Sequence, residues 1–307
     1  MARILTLVKP SNKSGVIVRL ALLGLLVAAG VTMWALVSAG GSGQTLLDAT
    51  LTELEEAVRK DPQSVDARLS VAIAYSARGF NDSAIEQFQE VLKLEENNQT
   101  ALMGIGRIYL AQGKDDRALE PLLKVVDLNK DNPFRFSIEQ LEAVYYELGT
   151  IYQRKGDYAQ AATYLQAALQ VNPVDADAWY VLGQTQQQAG EFEKALEAYH
   201  RSVRLVPDYV EAYRAMAEIY RLTQEKGKEK YATGMIHLSG RSTEDALKDL
   251  QQAVALEPEL AEAHEGLGLT MELLGRKEEA LSNYRRALEL DSTLMLSQFG
   301  IQRLEGA

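Results

Sequence analysis

The chain contains no cysteine, which excludes disulfide bonds, thiolate metal sites and cysteine nucleophiles. Because a chain without cysteine tolerates both oxidising and reducing surroundings, this absence leaves the compartment open. Histidine is also scarce: His200, His237 and His264 stand alone, with no two at the spacing of metal ligands. We therefore predict packing or surface roles for the three histidines, and no metal site.

Residue patterns that carry reaction chemistry are likewise absent from the sequence. The Gly104-Ile105-Gly106 triplet falls inside a helical pattern, which disfavours a phosphate-binding loop. The acidic pairs Glu55-Glu56 and Glu278-Glu279 are typical of solvated helix faces. Without a nucleophile and base at related positions, the sequence predicts a protein that is not an enzyme, with no catalytic residues and no cofactor.

Acidic residues are absent from the first 47 positions, which contain four basic residues, Arg3, Lys9, Lys13 and Arg19. The whole chain carries a formal charge of −11; without those four of its 32 basic residues, 28 face 43 acidic ones and the charge is −15. A domain of that charge would repel a phosphate backbone, so we predict no nucleic-acid partner.

Residues 20–39 contain no charge, and at 1.5 Å per residue they would span about 30 Å, the thickness of a bilayer's hydrocarbon core. We predict a single-pass signal-anchor helix here, with the leader 1–19 in the cytoplasm and the remainder extracytoplasmic, in a cell membrane. A cleavable signal peptide is the alternative, because Val37-Ser38-Ala39 resembles a cleavage site, although signal h-regions run about 7–15 residues.

Two further expectations concern this end of the chain. Gly24 and Ala28 are small residues four apart, so two anchors could pack together and form a homo-oligomer through the membrane helix. Residues 40–46 are predicted to form a flexible linker, since they are rich in glycine and serine.

A repeated pattern occupies most of the remaining chain, residues 47–307. A glycine precedes an alanine by five residues at Gly79/Ala84, Gly113/Ala118, Gly156/Ala161, Gly190/Ala195 and Gly275/Ala280. The first two glycines are 34 residues apart, as are the third and fourth. A period of that length indicates stacked supersecondary units, none of which can bury its own apolar face.

The residues around Gly190 show what one unit contains. Apolar and small residues recur at spacings of three and four on both sides of it, as in two amphipathic helices joined by a turn. They are Trp179, Leu182, Gly183, Phe192, Ala195, Tyr199, Val203 and Leu205, with Pro207 ending the second helix.

These residues and their period resemble the tetratricopeptide repeat family, whose unit of 34 residues is a helix-turn-helix. An ordinary helical bundle is the alternative, but a bundle has no reason to keep this period. The resemblance implies an all-α fold, a right-handed α-solenoid of about six repeats that follows the single transmembrane helix. It also implies a concave groove, lined by the first helix of each repeat, that binds proteins or peptides.

The repeats are irregular near 133–141 and 224–243, where the glycine spacing exceeds one and two periods by nine and seventeen residues. Residues 226–230 are interpreted as a polar break, followed by a shortened helix over 231–238, and the helix pairing over 210–258 stays open. Residues 47–60 are expected to cap the first repeat, and 293–304 to cap the last.

The first helices supply the candidate partner-binding residues, because their outward positions would face the groove. These are Arg107, Tyr146, Gln153, Arg154, Tyr180, Gln184, Gln187, Arg214 and Arg221. Tyrosine and arginine are common interface anchors, and glutamine can hydrogen-bond an extended peptide. Tyrosines at this spacing are equally typical of packing between helices.

Two functions follow from the resemblance. The first is a membrane-anchored adaptor or scaffold that holds protein partners in its groove. The second is an envelope chaperone or assembly factor that uses the groove transiently on unfolded clients. Capture of a chaperone's terminal carboxylate is disfavoured, because Leu69, Ile73 and Ser76 stand where the resemblance implies lysine and asparagine.

Overall fold

The computed structural model describes residues 43–306, with side chains from residue 50 onward. These residues form fifteen α-helices and one 3-10 helix, with no β-strand among them, which confirms the predicted all-α class. The predicted leader and membrane helix, residues 1–39, lie outside the described residues. Within 43–306, no helix is both long enough and apolar enough to cross a bilayer.

The chain divides into two compact units at Asp131 and Asn132. The first unit contains α1 (Gly43–Lys60), α2 (Val65–Ala77), α3 (Asn81–Leu94), α4 (Gln99–Ala111) and α5 (Asp115–Asn129). The second begins with the 3-10 helix Arg135–Ser137 and continues with α6 (Glu139–Arg154), α7 (Tyr158–Val171), α8 (Ala176–Gln188), α9 (Phe192–Leu205), α10 (Val210–Leu222), α11 (Lys226–Ser239), α12 (Thr243–Leu256), α13 (Ala261–Leu273), α14 (Lys277–Leu290) and α15 (Met295–Glu305).

In the first unit, α1 begins at Gly43 and so overlaps the last residues of the segment 40–46 that the sequence suggests as a linker. Helices α2 and α3 pack as one pair and α4 and α5 as another. Their shared core includes Phe88, Val91 and Ile105. Asn98 begins α4 as its N-cap, since its side-chain oxygen accepts a hydrogen bond from the Ala101 amide at 3.0 Å.

Helix pairs of the second unit approach closely because a small residue on the first helix faces a large one on the second. A Cβ atom added at Gly183 would lie 2.6 Å from the Tyr199 ring, so only glycine leaves room for that ring. Ala161 and Ala195 are fully buried at the corresponding helix contacts. Both alanines belong to the repeated glycine–alanine pattern of the sequence, which therefore marks where paired helices touch.

The turn between the two helices of a pair has one residue in the left-handed backbone region. Glycine fills this position at Gly79, Gly113, Gly156, Gly190 and Gly275, with φ between 68° and 77°. The same position is filled by Gln224 and Arg241, both at φ 62°. These two residues adopt a conformation that disfavours any side chain, so the packing of the flanking helices imposes the turn.

The three helices α10, α11 and α12 contain the irregularity near 224–243. Residues 226–230 are the first turn of α11, which corrects the expectation of a polar break followed by a shortened helix. Position 227 suits glycine because the start of α11 packs closely against the end of α12. A Cβ atom at Gly227 would lie 2.7 Å from Cβ of Glu257.

Helix α11 belongs to two pairs at once. The turn at Gln224 joins it to α10, and the turn at Arg241 joins it to α12. Gly234 of α11 faces Leu250 of α12 sixteen residues later, as Gly183 faces Tyr199 in a regular pair. One helix and one turn, seventeen residues, are therefore inserted, and α11 is the second helix after α10 and the first helix before α12.

The last helix, α15, covers the end of the second unit, where the sequence predicts a cap. Gly300 of α15 lies against the buried Tyr284 ring of α14. The Arg303 guanidinium holds the Glu272 carboxylate in a two-pronged pair with both N···O distances at 2.6 Å. Tyr284 donates a third hydrogen bond to the same carboxylate at 2.7 Å, so one acidic group fastens α15 to α13 and α14.

Candidate functional site

A groove of about 650 Å³ lies between α8 and α10, beside the start of α9. Four of the predicted partner-binding residues line it together: Tyr180, Gln184, Gln187 and Arg214. Its volume falls in the range of about 300–1,000 Å³ that is common for ligand sites. The remaining lining residues are Gln188, Phe192, Tyr199, Glu211, Ala215, Glu218 and Leu222.

The two walls of this α8–α10 groove are equivalent positions in successive repeats. Tyr180 precedes Arg214 by 34 residues, and Gln184 precedes Glu218 by the same interval. Gln188 and Leu222 form a third such pair. A helix exposes the same face when residues recur at steps of three and four, so each wall is one stripe of a first helix.

Hydrogen bonds fix the side chains at the centre of the groove. Gln187 donates from Nε2 to the Glu218 carboxylate at 3.2 Å and accepts from the Tyr199 hydroxyl at 2.7 Å. Gln184 donates from Nε2 to the hydroxyl of Tyr180 at 2.9 Å. Gln187 is therefore held by both ends of its amide, which orders the floor of the groove before anything binds.

Tyr180 contributes to packing as well as to the groove. Its ring centroid lies 5.7 Å from that of Tyr199 and 5.0 Å from that of Tyr209. Burial raises the pKa of Tyr199 above its ordinary value, and the nearby Tyr180 and Glu218 add to the increase. Replacing Tyr180 would therefore remove contacts between helices, because its ring bridges α8, α9 and the residue before α10.

Other groove side chains are open to solvent. Gln188, Arg214 and Glu218 are exposed. Within residues 43–306, Gln188 and Arg214 make no hydrogen bond or ion pair through their side chains. These two residues can therefore meet a partner without first breaking a contact of the fold.

The remaining predicted residues occupy other surroundings. Arg107 is exposed on α4 of the first unit. Tyr146 on α6 packs against the buried cluster around Leu165 and Leu182, and burial raises its pKa above the ordinary value. In the second unit, Gln153 is half-buried, whereas Arg154 and Arg221 are exposed near the ends of α6 and α10. None of these three, nor Tyr146, lines the α8–α10 groove.

The groove residues that the candidate set lacks include Phe192, Glu211 and Leu222. The repeat period could have indicated Leu222, since it follows Gln188 by 34 residues. Helical spacing could have indicated Glu211, three residues before Arg214 on the same face. Phe192 belongs to a second helix, so a search limited to first helices misses it.

The chemistry of the groove suits recognition through hydrogen bonds. Amide and carboxylate groups alternate with Tyr180, Phe192 and Leu222, so the surface offers donors and acceptors beside short apolar contacts. No group of three or more histidine, aspartate or glutamate side chains within residues 43–306 is arranged to hold a metal ion.

Comparison with known proteins identifies the repeat. The family profile described as "Tetratricopeptide repeat" matches residues 71–133, 146–210, 182–228 and 231–294, which together cover more than half of the chain. Its third match ends at residue 228 and its fourth begins at residue 231, and both positions lie inside α11, the inserted helix.

Individual relatives match only in part. The peroxisomal targeting signal receptor of Saccharomyces cerevisiae is 35% identical over 65 residues, which cover 21% of this chain and 11% of the receptor. The photosystem I assembly protein Ycf3 of Rippkaea orientalis is 37% identical over 90 residues, 28% of this chain and 52% of Ycf3. The matched regions thus span about a tenth and about half of these two relatives.

A crystal structure of MamA overlays with a TM-score of 0.47 and 28% identity, covering 60% of this chain and 97% of that one.

Proposed function

Because the chain belongs to the tetratricopeptide repeat family, and so to a class of protein-interaction scaffolds, we propose that it is an adaptor that binds a protein partner in the α8–α10 groove. The observation that carries this proposal is the ordered polar floor, in which Gln187 is held by Glu218 and Tyr199 beneath the exposed Gln188 and Arg214. An extended peptide fits such a surface, because its backbone amides can pair with glutamine and carboxylate groups.

The lining of the groove favours an adaptor over a chaperone for unfolded clients. Six of its eleven lining residues carry an amide, a carboxylate or a guanidinium: Gln184, Gln187, Gln188, Glu211, Arg214 and Glu218. A surface for unfolded clients would instead present a continuous apolar patch. The relatives' printed names, a targeting-signal receptor and an assembly protein, support recognition of defined proteins without naming a partner for this chain.

The proposed location follows from the sequence. The uncharged segment 20–39 and its basic leader support a membrane anchor with the repeats outside the cytoplasm. A reporter fused after Ala307 tests this orientation. We expect activity only from a reporter that works outside the cytoplasm. Activity only from a reporter that works in the cytoplasm would reverse the proposed orientation. A shortened soluble product would show that the N-terminal segment is cleaved.

The groove is tested by affinity capture with the full chain from detergent-solubilised membranes of its source cells, followed by quantitative mass spectrometry. The test variant combines Gln188→Ala and Arg214→Ala, since neither side chain holds the fold together. The control combines Lys248→Ala and Gln251→Ala, which likewise remove one positive charge and one amide, here from the exposed face of α12.

We expect the groove variant to lose a defined set of proteins that the control retains, with both variants melting like the wild type. Truncating an interface anchor commonly costs more than about 1 kcal/mol, which is more than a fivefold loss of affinity. Equal capture by all three proteins would contradict a role for this groove.

A further inference from the structure

The second unit contains a second cavity, of about 160 Å³, outside the α8–α10 groove. It lies among α9, α10, α11 and α13, and the turn before α15 closes one side. The insertion of α11 shapes this place: it brings Arg204, at the end of α9, within 3.5 Å of the Asp291 carboxylate, which belongs to the turn after α14. Regular repeats would keep these two residues, 87 positions apart, in separate layers.

The inner wall of the cavity is aromatic and apolar. Tyr213 and Tyr231 are 3% and 5% exposed, and their rings meet edge to face at 6.0 Å. Met235 and Leu294 complete this wall and are equally buried.

Two carboxylates of α13 line the same space. Oε1 of Glu265 accepts hydrogen bonds from the amide and hydroxyl of Ser297, at 2.9 and 3.0 Å. Within residues 43–306, Oε2 of Glu265 and both oxygens of Glu262 receive no hydrogen bond. Glu262 and Glu265 line the same cavity as Tyr213 and Tyr231, which places both carboxylates beside the aromatic wall.

Positive charge does not balance these carboxylates. Arg204 at the rim is paired with Asp291; burial raises the pKa of Glu265 above its ordinary value, and the Arg204 charge offsets only part of that increase. His200 is neutral near pH 7, because burial lowers its pKa below the ordinary value, and its Nε2 lies 3.0 Å from the Tyr220 hydroxyl. The cavity therefore combines an excess of negative charge with aromatic rings, which is the surrounding that a desolvated organic cation favours.

We propose that this cavity binds a small alkylammonium group between the Glu262 and Glu265 carboxylates and the Tyr213–Tyr231 wall. A cavity of about 150 Å³ holds a molecule of benzene's size, so the space suits a group of about four to six non-hydrogen atoms. Entry is available at the rim, where Thr293 is exposed and Met295 is 61% exposed. The ammonium could belong to a free amine or to a lysine side chain of a bound protein.

The experiment measures binding of n-butylammonium to the purified full chain in mild detergent, by ligand-observed NMR and calorimetry. Its neutral counterpart of similar size is 1-pentanol. Glu262→Gln is the main variant, because Glu262 makes no hydrogen bond that the fold would lose. Glu265→Gln is the second, and Glu278→Gln, an exposed position on α14, is the control with the same change in charge.

We expect saturable binding of n-butylammonium that Glu262→Gln weakens at least tenfold and Glu278→Gln leaves unchanged, with 1-pentanol at least tenfold weaker. Should Glu265→Gln fail to fold without its Ser297 contacts, Glu262→Gln decides the matter. Absence of saturable binding, equal binding of the alcohol, or no effect of Glu262→Gln would each overturn the proposal.

Nα-acetyl-lysine N-methylamide then distinguishes the two sources of the cation. Tighter binding than n-butylammonium indicates a lysine of a protein partner, and weaker binding indicates a free amine; both outcomes require the cation site. Because this cavity is separate from the α8–α10 groove, the Gln188→Ala and Arg214→Ala variant should bind the amine normally.

Discussion

The regular pairs α6–α7 and α8–α9 and the three-helix segment α10–α12 build the same turn from different residues. Gly156 and Gly190 occupy the left-handed position in the regular pairs, and Gln224 and Arg241 occupy it in the three-helix segment. The four turns share a backbone conformation although only glycine adopts it without strain. The comparison teaches that helix packing sets the turn, and that glycine lowers its cost without being required for it.

The largest expected effect is a loss of stability when a buried alanine of either region is enlarged. Ala195 in the regular pair and Ala246 in the three-helix segment follow their turn residues by five positions and are fully buried. Ala195→Leu and Ala246→Leu should each destabilise the fold by about 1–3 kcal/mol, because the added atoms overpack a helix contact.

Chemical denaturation of the full chain measures both costs, and Ala255→Leu on the exposed face of α12 is the control. A loss confined to Ala195→Leu would show that α11 and α12 are not packed as a regular pair.

A smaller effect is a change in the free energy of unfolding with pH, about 1 kcal/mol after allowing for solvent screening. It arises in the regular pair α6–α7. Burial and a hydrogen bond with Asp175 raise the pKa of Glu142 from 4.5 to about 7. Between pH 4.5 and 7 the folded protein therefore keeps this carboxyl protonated, whereas the unfolded chain ionises it. The protonated Glu142 stabilises the fold fully below pH 4.5, and this stabilisation is lost as the pH rises through 7.

Glu142→Gln keeps a neutral hydrogen-bonding group at this position, so the variant should lose less stability than the wild type between pH 4.5 and 8. Thermal melts across that interval provide the measurement, with Glu193→Gln, an exposed position on α9, as the control. Parallel melting curves for Glu142→Gln and the wild type would mean that Glu142 titrates normally.

The smallest effect concerns the turns themselves. Gln224→Gly should stabilise the fold by about 0.5–1 kcal/mol, because relief of left-handed strain exceeds the entropy that glycine adds to the unfolded chain. Gly190→Ala should destabilise it by about 1 kcal/mol, and this cost comes from the backbone, since an added Cβ atom meets nothing within 4 Å.

Equilibrium unfolding of the two variants tests the comparison in opposite directions. Destabilisation by Gln224→Gly would indicate that the Gln224 side chain, and not helix packing, holds the turn at the start of α11.

Sequence periodicity predicts most of the repeat fold because each unit makes local contacts of fixed spacing. Gly183 and Tyr199, sixteen residues apart, show the pattern directly. The insertion of α11 was detectable as seventeen extra residues, but its pairing was not, because Gln224 and Arg241 hide two turns that the other repeats mark with glycine.

The candidate site was predictable in part for a related reason. Tyr180 and Arg214 are one repeat period apart on equivalent helix faces, so the sequence brings them together correctly. Tyr146 has the same residue type and helix position but packs, partly buried, against the cluster around Leu165 and Leu182, since the choice between groove and core depends on the neighbouring helix. The carboxylates Glu262 and Glu265 reach Tyr213 and Tyr231 only through the inserted helix, which no local pattern reveals.

The most direct test of the adaptor proposal is photo-crosslinking in the source cells, with a photoreactive amino acid at position 188 in the groove or at position 251 on the exposed face of α12. We expect position 188 to crosslink to a defined protein, the same one that the variant combining Gln188→Ala and Arg214→Ala fails to capture. Position 251 should not crosslink to that protein. Crosslinking of the same protein from position 251 alone would contradict binding in the α8–α10 groove.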